Sequence, residues 1–293
     1  MNSSQFKKNE FKKFCATIGF KPMEIHQLID QVDNYYHEWI EEKIDKKTGA
    51  LKKYNDGTVK QRTIRPPLRE LKAVQTNIKN KILAQITLPD CVHGGVKGRS
   101  NITNAKTHQG NKFQFTTDLQ DFFPGISYQR VYNSFLKLKF STHFSHWLTK
   151  LTTWKYSLPQ GAPTSTHIAN LVFLPTDCQL IEFCIKHGIT YTRYIDDLTF
   201  SSQQDFQPIL NDILQIVKSN EYKLNYRKTK YSGNQTVTGI KVFLNKIEAP
   251  EIIQAKARTE LGNESNNIPY TNYINNIKKT NDLKRKSKSG GEK

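Results

Sequence analysis

The stretch His187-Gly188-Ile189-Thr190-Tyr191-Thr192-Arg193-Tyr194-Ile195-Asp196-Asp197-Leu198-Thr199-Phe200-Ser201-Ser202 decides how the rest of the chain is read. Its two halves are β-branched and aromatic, and the second alternates apolar and hydroxyl residues, so each predicts a short strand. Asp196 and Asp197 then fall at a hairpin tip. Adjacent carboxylates repel one another there, and the arrangement becomes favourable when divalent cations occupy the space beside them. A solvated turn is the ordinary alternative, since Asp is a common turn residue. The choice therefore rests on the other segments.

The 293 residues suffice for one large domain or two to three subdomains. Lys and Arg number 44 against 26 Asp and Glu, a formal charge of +18. That excess exceeds what solubility needs and points to a polyanion, with nucleic acid the first candidate. Aromatic residues, at 11%, supply a core and leave rings for stacking on bases or sugars. Four cysteines form no C-x-x-C pair and read as reduced, mostly buried thiols, consistent with a cytoplasmic protein. His143 and His146 read as a structural pair. No signal peptide is recognised, and no stretch reads as a membrane span.

Residues 1–21 predict a loose basic arm or short helix. Pro22 opens a periodic run through Ile25, Leu28, Ile29, Val32, Tyr36, Trp39 and Ile40 that predicts one helix. Asn55-Asp56-Gly57 lies between strand-like arms carrying Lys52, Lys53, Lys60 and Arg62. Such a basic hairpin suits a triphosphate, or else simply faces solvent. A helix is expected over 68–88. His93-Gly94-Gly95-Val96-Lys97-Gly98-Arg99-Ser100 is glycine-rich and basic, permitting close backbone approach to a ligand or another chain. Lys112 to Leu119 predicts a strand with Asp118 near its end, and Ser127 predicts an N-cap. Leu158-Pro159-Gln160-Gly161 is a rigid loop. Further helices are expected at 142–152, 166–186, 208–219 and within 246–277, and strands at 224–231 and 236–245. From Lys278 the chain is basic and Ser/Gly-rich.

Asp118, Asp196 and Asp197 are thus three carboxylates at strand ends. A sheet bringing them together would hold two Mg²⁺ ions roughly 3.5–4 Å apart, the spacing of two-metal phosphoryl transfer. With the basic hairpin and the basic body, nucleotidyl transfer on a nucleic acid is the leading reading.

In this order, the basic hairpin, Asp118-x-x-Asp121-Phe122-Phe123, Leu158-Pro159-Gln160-Gly161, Tyr194-Ile195-Asp196-Asp197, Asn225-x-x-Lys228-Thr229 and the Gly239 strand resemble a reverse transcriptase. The Asn104-Ala105-x-x-His108 and Val237-Thr238-Gly239 segments, with Val92-His93-Gly94 through Ser100, are similar to bacterial retron reverse transcriptases. The resemblance covers roughly residues 50–250. It implies an α+β right-hand polymerase: fingers, a palm of antiparallel sheet packed on helices, and a short helical thumb. The expected divisions are 1–48 as an N-terminal helical extension, 49–112 as fingers, 113–245 as palm with helices over 127–155, and 246–293 as short thumb and basic tail.

The resemblance further implies Asp118, Asp196 and Asp197 as ligands of two Mg²⁺ ions, which Mn²⁺ can replace, with a backbone carbonyl near Leu119 assisting. Phe123 excludes a 2′-hydroxyl, Gln160 braces the nucleotide, and Arg62 with Lys53 or Lys60 holds the triphosphate. Lys228 is a general acid toward pyrophosphate. Lys97, Arg99, Asn104, His108 and Val237, Thr238, Gly239 serve RNA recognition. Implied partners are a cognate non-coding RNA serving as template and primer, its branched RNA–DNA product (msDNA), dNTPs and an effector protein in anti-phage defence. Ile195 stands where retron enzymes more often have Ala, and the region after Asn245 is short for a thumb. Alternatives are a non-catalytic RNA- or RNA–DNA-binding scaffold holding a toxic partner, or a reverse transcriptase of the group II intron or abortive-infection kind.

Overall fold

A computed structural model describes residues 3–45, 49–54, 56–233, 235–262 and 267–282, so most of the basic tail lies outside the described residues. Two compact units interleave along the chain. One comprises 1–89, 120–178 and 217–223; the other comprises 90–119, 179–216 and 224–293.

In the first unit, helices α1 (Ser3–Ile18) and α2 (Pro22–Asp30) precede a single 3₁₀ turn, Val32–Tyr35. The single helix predicted from Pro22 to Ile40 therefore ends early. Trp39 and Ile40 instead belong to strand β1 (Trp39–Glu42), which pairs antiparallel with β2 (Gln61–Ile64). Tyr36 bridges Pro67, and this backbone pairing overrides the helical periodicity, leaving Trp39 and Ile40 exposed. Of the expected basic hairpin the bridge Lys53↔Val59 is present, Asn55 lies outside the described residues, and Arg62 pairs with Glu41 of β1 instead. Helix α3 (Arg69–Lys81) follows, buried through Leu71, Val74 and Ile78.

The chain then enters the second unit for α4 (Asn101–Thr107) and β3 (Phe113–Asp118). It returns to the first unit for α5 (Tyr128–Lys137) and α6 (Thr142–Thr152). Ser127 caps α5 as expected, accepting from Arg130 N at 3.3 Å. Ser127→Ala should lower stability by about 1 kcal/mol, read as a shift of the urea midpoint. Against α6 the predicted arm packs as the helix α1: Phe11 meets Trp147 edge-on at 4.8 Å and Phe14 meets Phe144 at 4.9 Å. His143 bonds Glu10 and His146 bonds the Tyr128 hydroxyl, so both histidines are structural.

Helix α7 (Ser165–Lys186) is long and apolar enough to cross a membrane, against the expectation that no segment approaches a span. Its apolar side chains serve the core, where Ile168, Phe173 and Leu180 are fully buried. Then come β4 (Thr190–Tyr194), β5 (Asp197–Ser202), α8 (Leu210–Ser219) and β6 (Lys230–Ser232). The order β4-β5-β3-β6 makes one antiparallel sheet in the second unit. Strands β7 (Gln235–Val237), β8 (Ile240–Val242) and β9 (Ile247–Glu248) form a second sheet, followed by α9 (Glu251–Gly262) and α10 (Pro269–Asp282). Ile102, Val237, Ile240, Ile247 and Ile277 join α4, this sheet and α10 in one apolar cluster. The architecture is α+β.

Candidate active site

The central strand β3 sets the site. It is buried on both faces, at Gln114, Phe115 and Thr117, and it ends at Asp118, which is only 6% exposed. Register places Asp118 directly across from Asp197, the first residue of β5. Tyr194 and Asp197 are themselves cross-strand partners, so the chain reverses through Ile195 and Asp196 alone. The Leu119 amide donates to the Asp196 carbonyl at 2.9 Å, which ties this turn to the end of β3. Asp118, Asp196 and Asp197 are thus brought together within one unit.

Their electrostatics follow from that crowding. Burial first, then the charges of Asp196 and Asp118, push the Asp197 carboxyl up to about 7. Lys228 Nζ donates to Asp118 Oδ1 at 2.6 Å, and Asn225 Nδ2 donates to Asp118 Oδ2 at 3.3 Å. Burial pulls the Lys228 ammonium down, but its bond to Asp118 and the carboxylate charges outweigh that and raise it overall. Among the described residues no group of three or more His, Cys, Asp and Glu side chains is placed to hold a metal ion as it stands. Lys228 sits on Asp118 as the local cation. The hard oxygen donors of the three carboxylates are of the kind that suits Mg²⁺.

Asp118 and Asp197 line a cleft of about 350 Å³, together with Thr117, Arg227, Lys228, Lys230, Thr238 and Gly239. Arg227, Lys230 and Asn225 had no role assigned from sequence; a basic residue on either side of Lys228 was the available signal. Thr238 and Gly239 form the two-residue β7–β8 turn with φ of +44° and +86°, a conformation that favours Gly at the second position.

The expected RNA contacts need correction. Asn104, His108 and Val237 are buried, so their side chains cannot meet RNA. His108 Nδ1 and Nε2 each lie 2.6 Å from a hydroxyl, those of Ser201 and Thr192, which joins α4 to the sheet. Asn104 Nδ2 reaches Thr238 Oγ1 at 3.4 Å. The Arg99 guanidinium is engaged by the Val92 carbonyl and Asp90. Lys97 and Gly239 are exposed.

The other candidates belong to the first unit. Gln160 accepts the Arg65 amide at 2.7 Å, which joins its loop to the residue after β2. Phe123 is half-buried beside Phe122, and Lys53 is exposed. Arg62 is paired with Glu41, its cross-strand partner, at 2.8 Å.

A family model described as reverse transcriptase (RNA-dependent DNA polymerase) matches residues 44–251, and the chain belongs to that family. Its relatives include retron enzymes. It is 36% identical over 191 residues to the Retron Ec86 reverse transcriptase of Escherichia coli, covering 64% of this chain and 60% of that one. To the Retron Se72 reverse transcriptase of Salmonella heidelberg it is 32% identical over 197 residues, 66% of this chain and 52% of that one. The Retron Mx162 reverse transcriptase of Myxococcus xanthus is 32% identical over 222 residues, 64% and 46% of the respective chains. The chain thus spans about half the length of these relatives.

Proposed function

We propose that this chain is an RNA-directed DNA polymerase of retron type. The pairing of Asp118 with Asp197 across β3 and β5, with Asp196 in the intervening turn, carries the reading. The similarity to retron enzymes and the charge of +18 support it.

In this reading Asp118, Asp196 and Asp197 hold two divalent ions, Mg²⁺ or in its place Mn²⁺, with the Leu119 carbonyl assisting. Bound there, such ions activate a primer hydroxyl and neutralise departing pyrophosphate. Lys228, kept protonated by the carboxylates, delivers a proton to pyrophosphate. Residues 49–112 act as fingers, 113–245 as palm, and 246–293 as thumb and tail. Arg62, with Lys53, grips the triphosphate after exchanging Glu41 for it. Gln160 supports the nucleotide and Phe123 excludes the 2′-hydroxyl. Lys97, Thr238 and Gly239 are the RNA-facing members of the recognition set. The template and primer are a cognate non-coding RNA, the product is branched msDNA, and an effector protein completes a cytoplasmic anti-phage system.

Purified protein expressed with its native flanking DNA tests this. Bound nucleic acid is extracted and split between RNase and DNase. The expected result is a short DNA attached to RNA, missing from the Asp196→Ala protein. RNA alone from both proteins, with no Mg²⁺-dependent primer extension by the wild type, would replace the polymerase with a scaffold. Phe123→Ala should admit ribonucleotides, raising the rNTP/dNTP incorporation ratio by about 10²-fold, near 3 kcal/mol of lost discrimination. An unchanged ratio places the steric gate elsewhere.

A further inference from the structure

The turn between Tyr194 and Asp197 has an unfavourable residue at its tip. A two-residue hairpin loop with positive φ at its first position takes Gly there, because a Cβ crowds the backbone. Here that position is Ile195, β-branched, at φ +61°. Such a conformation persists only when its surroundings fix it.

Two bonds fix the carbonyls of this loop. The Leu119 amide takes that of Asp196 at 2.9 Å, and Arg193 Nη1 donates to that of Ile195 at 3.0 Å. Among the described residues Arg193 is the largest side chain with no exposed surface. A guanidinium stays charged at any working pH, and burying one is unfavourable unless its donors are used. Its backbone is gripped as well: Arg193 N donates to the Cys91 carbonyl at 2.7 Å, and His93 N donates to the Arg193 carbonyl at 2.8 Å. Residues 91–93 thus run beside β4 through the parallel bridge Val92↔Arg193.

Gly94 ends that run against the turn. A Cβ built on it would lie 2.6 Å from both the Ile195 amide nitrogen and Cγ1, and 3.1 Å from the Tyr194 carbonyl carbon. No larger residue fits while the turn keeps its shape.

We propose that Arg193 and Gly94 are positioning residues for the polymerase reaction, holding Ile195 in its left-handed conformation so that Asp196 and Asp197 face Asp118. This rests on the assignment of the three carboxylates as metal ligands. Residues that orient a ligand from behind typically change metal affinity by about 10–100-fold when altered.

The test uses the full chain with its co-purified RNA and reads two Mg²⁺ midpoints, one for primer extension and one for the rise in melting temperature. Arg193→Met and Gly94→Ala should each raise both midpoints about 10–100-fold, with the KM for dNTP and the RNA retained within about threefold of wild type. Arg193→Lys should recover part of the shift. Adding Ile195→Gly to Gly94→Ala should recover most of it, since a glycine turn can yield to the new methyl. Should Arg193→Met not fold, the Gly94→Ala pair, with and without Ile195→Gly, decides alone. Midpoints within threefold of wild type, or lowered turnover with unchanged midpoints, would overturn the proposal and leave Arg193 and Gly94 as packing residues. A wild type that shows neither Mg²⁺-dependent extension nor Mg²⁺-dependent stabilisation would reject the metal-site reading itself.

Discussion

Replacing Asp197 with Asn is expected to stop DNA synthesis and to make the metal-free protein more stable. Asn keeps the shape and the hydrogen-bonding reach but removes one of three crowded charges. Loss of a few kcal/mol of charge stabilisation at the reacting phosphate corresponds to a fall of about 10³-fold in rate. Stability moves the other way. A carboxyl raised from 3.8 to about 7 in the folded state favours folding at low pH, and that contribution is lost as pH rises through 7. Above pH 7 wild-type Asp197 is held ionised beside Asp118 and Asp196, an unfavourable state worth on the order of 2–4 kcal/mol after allowance for coupling and solvent. At pH 8 without Mg²⁺, Asp197→Asn should therefore unfold at higher urea than wild type. Adding Mg²⁺ should close or reverse the gap by stabilising the wild type alone. A destabilised, still active variant would remove Asp197 from the site.

His108 carries the second large effect. Burial, with a smaller push from His93, pulls its imidazole down to about 3, while His93 itself is drawn to about 4, mainly by burial. A histidine depressed in the folded state binds its proton more readily when unfolded. Its contribution is complete above about 6.5 and falls away as pH drops toward the folded value. From pH 7 to 5 this removes about 2 kcal/mol for each histidine, at about 1.4 kcal/mol per pH unit below 6.5. Asp197 titrates with the opposite sign over the same window, so the measurement belongs in the Asp197→Asn background. There, His108→Leu should flatten the pH dependence of the urea midpoint by one proton. At pH 7 it should cost about 1–3 kcal/mol, mainly through the buried Thr192 hydroxyl it strands, since Asn111 Nδ2 still donates to Ser201 Oγ. RNA retention by the folded variant should be unchanged, because His108 has no surface to offer RNA. Normal stability with lost RNA would restore the recognition role.

Strands β3, β4 and β5 and most helices were legible because alternation and capping act over a few residues, whereas the strand expected at 224–231 is a 3₁₀ turn over Tyr226–Lys228 before the short β6, and the one expected at 236–245 is the β7–β8 hairpin. Asp118 and the Asp196–Asp197 pair stood out for the same reason: strand ends show locally. Legibility failed where distant backbone decided the outcome. The periodic run from Pro22 carried Trp39 and Ile40 onto a predicted helix, yet pairing with Gln61–Ile64 drew them into a strand. Asn104 and His108 read as polar surface residues because nothing nearby shows that Thr192, Ser201 and Thr238 will enclose them. Arg193 looked like one more basic residue in a basic chain. Its backbone is held by Cys91 and His93, about 100 residues earlier in the chain.

Strand β3 has a consequence for synthesis of the protein itself. Both strands that flank it, β5 and β6, are translated long after it. A nascent chain on the ribosome carries Phe113-Gln114-Phe115-Thr116-Thr117-Asp118 with neither neighbour available until some 80 further residues have emerged. During that interval an aromatic strand with two open edges invites pairing with the wrong partner, a hazard that chaperones limit. Shortened translation products that stop before Lys230 lack β6 and with it three of the nine register pairs of β3. The sheet that carries Asp118 and Asp197 is therefore completed only when Lys230–Ser232 has emerged.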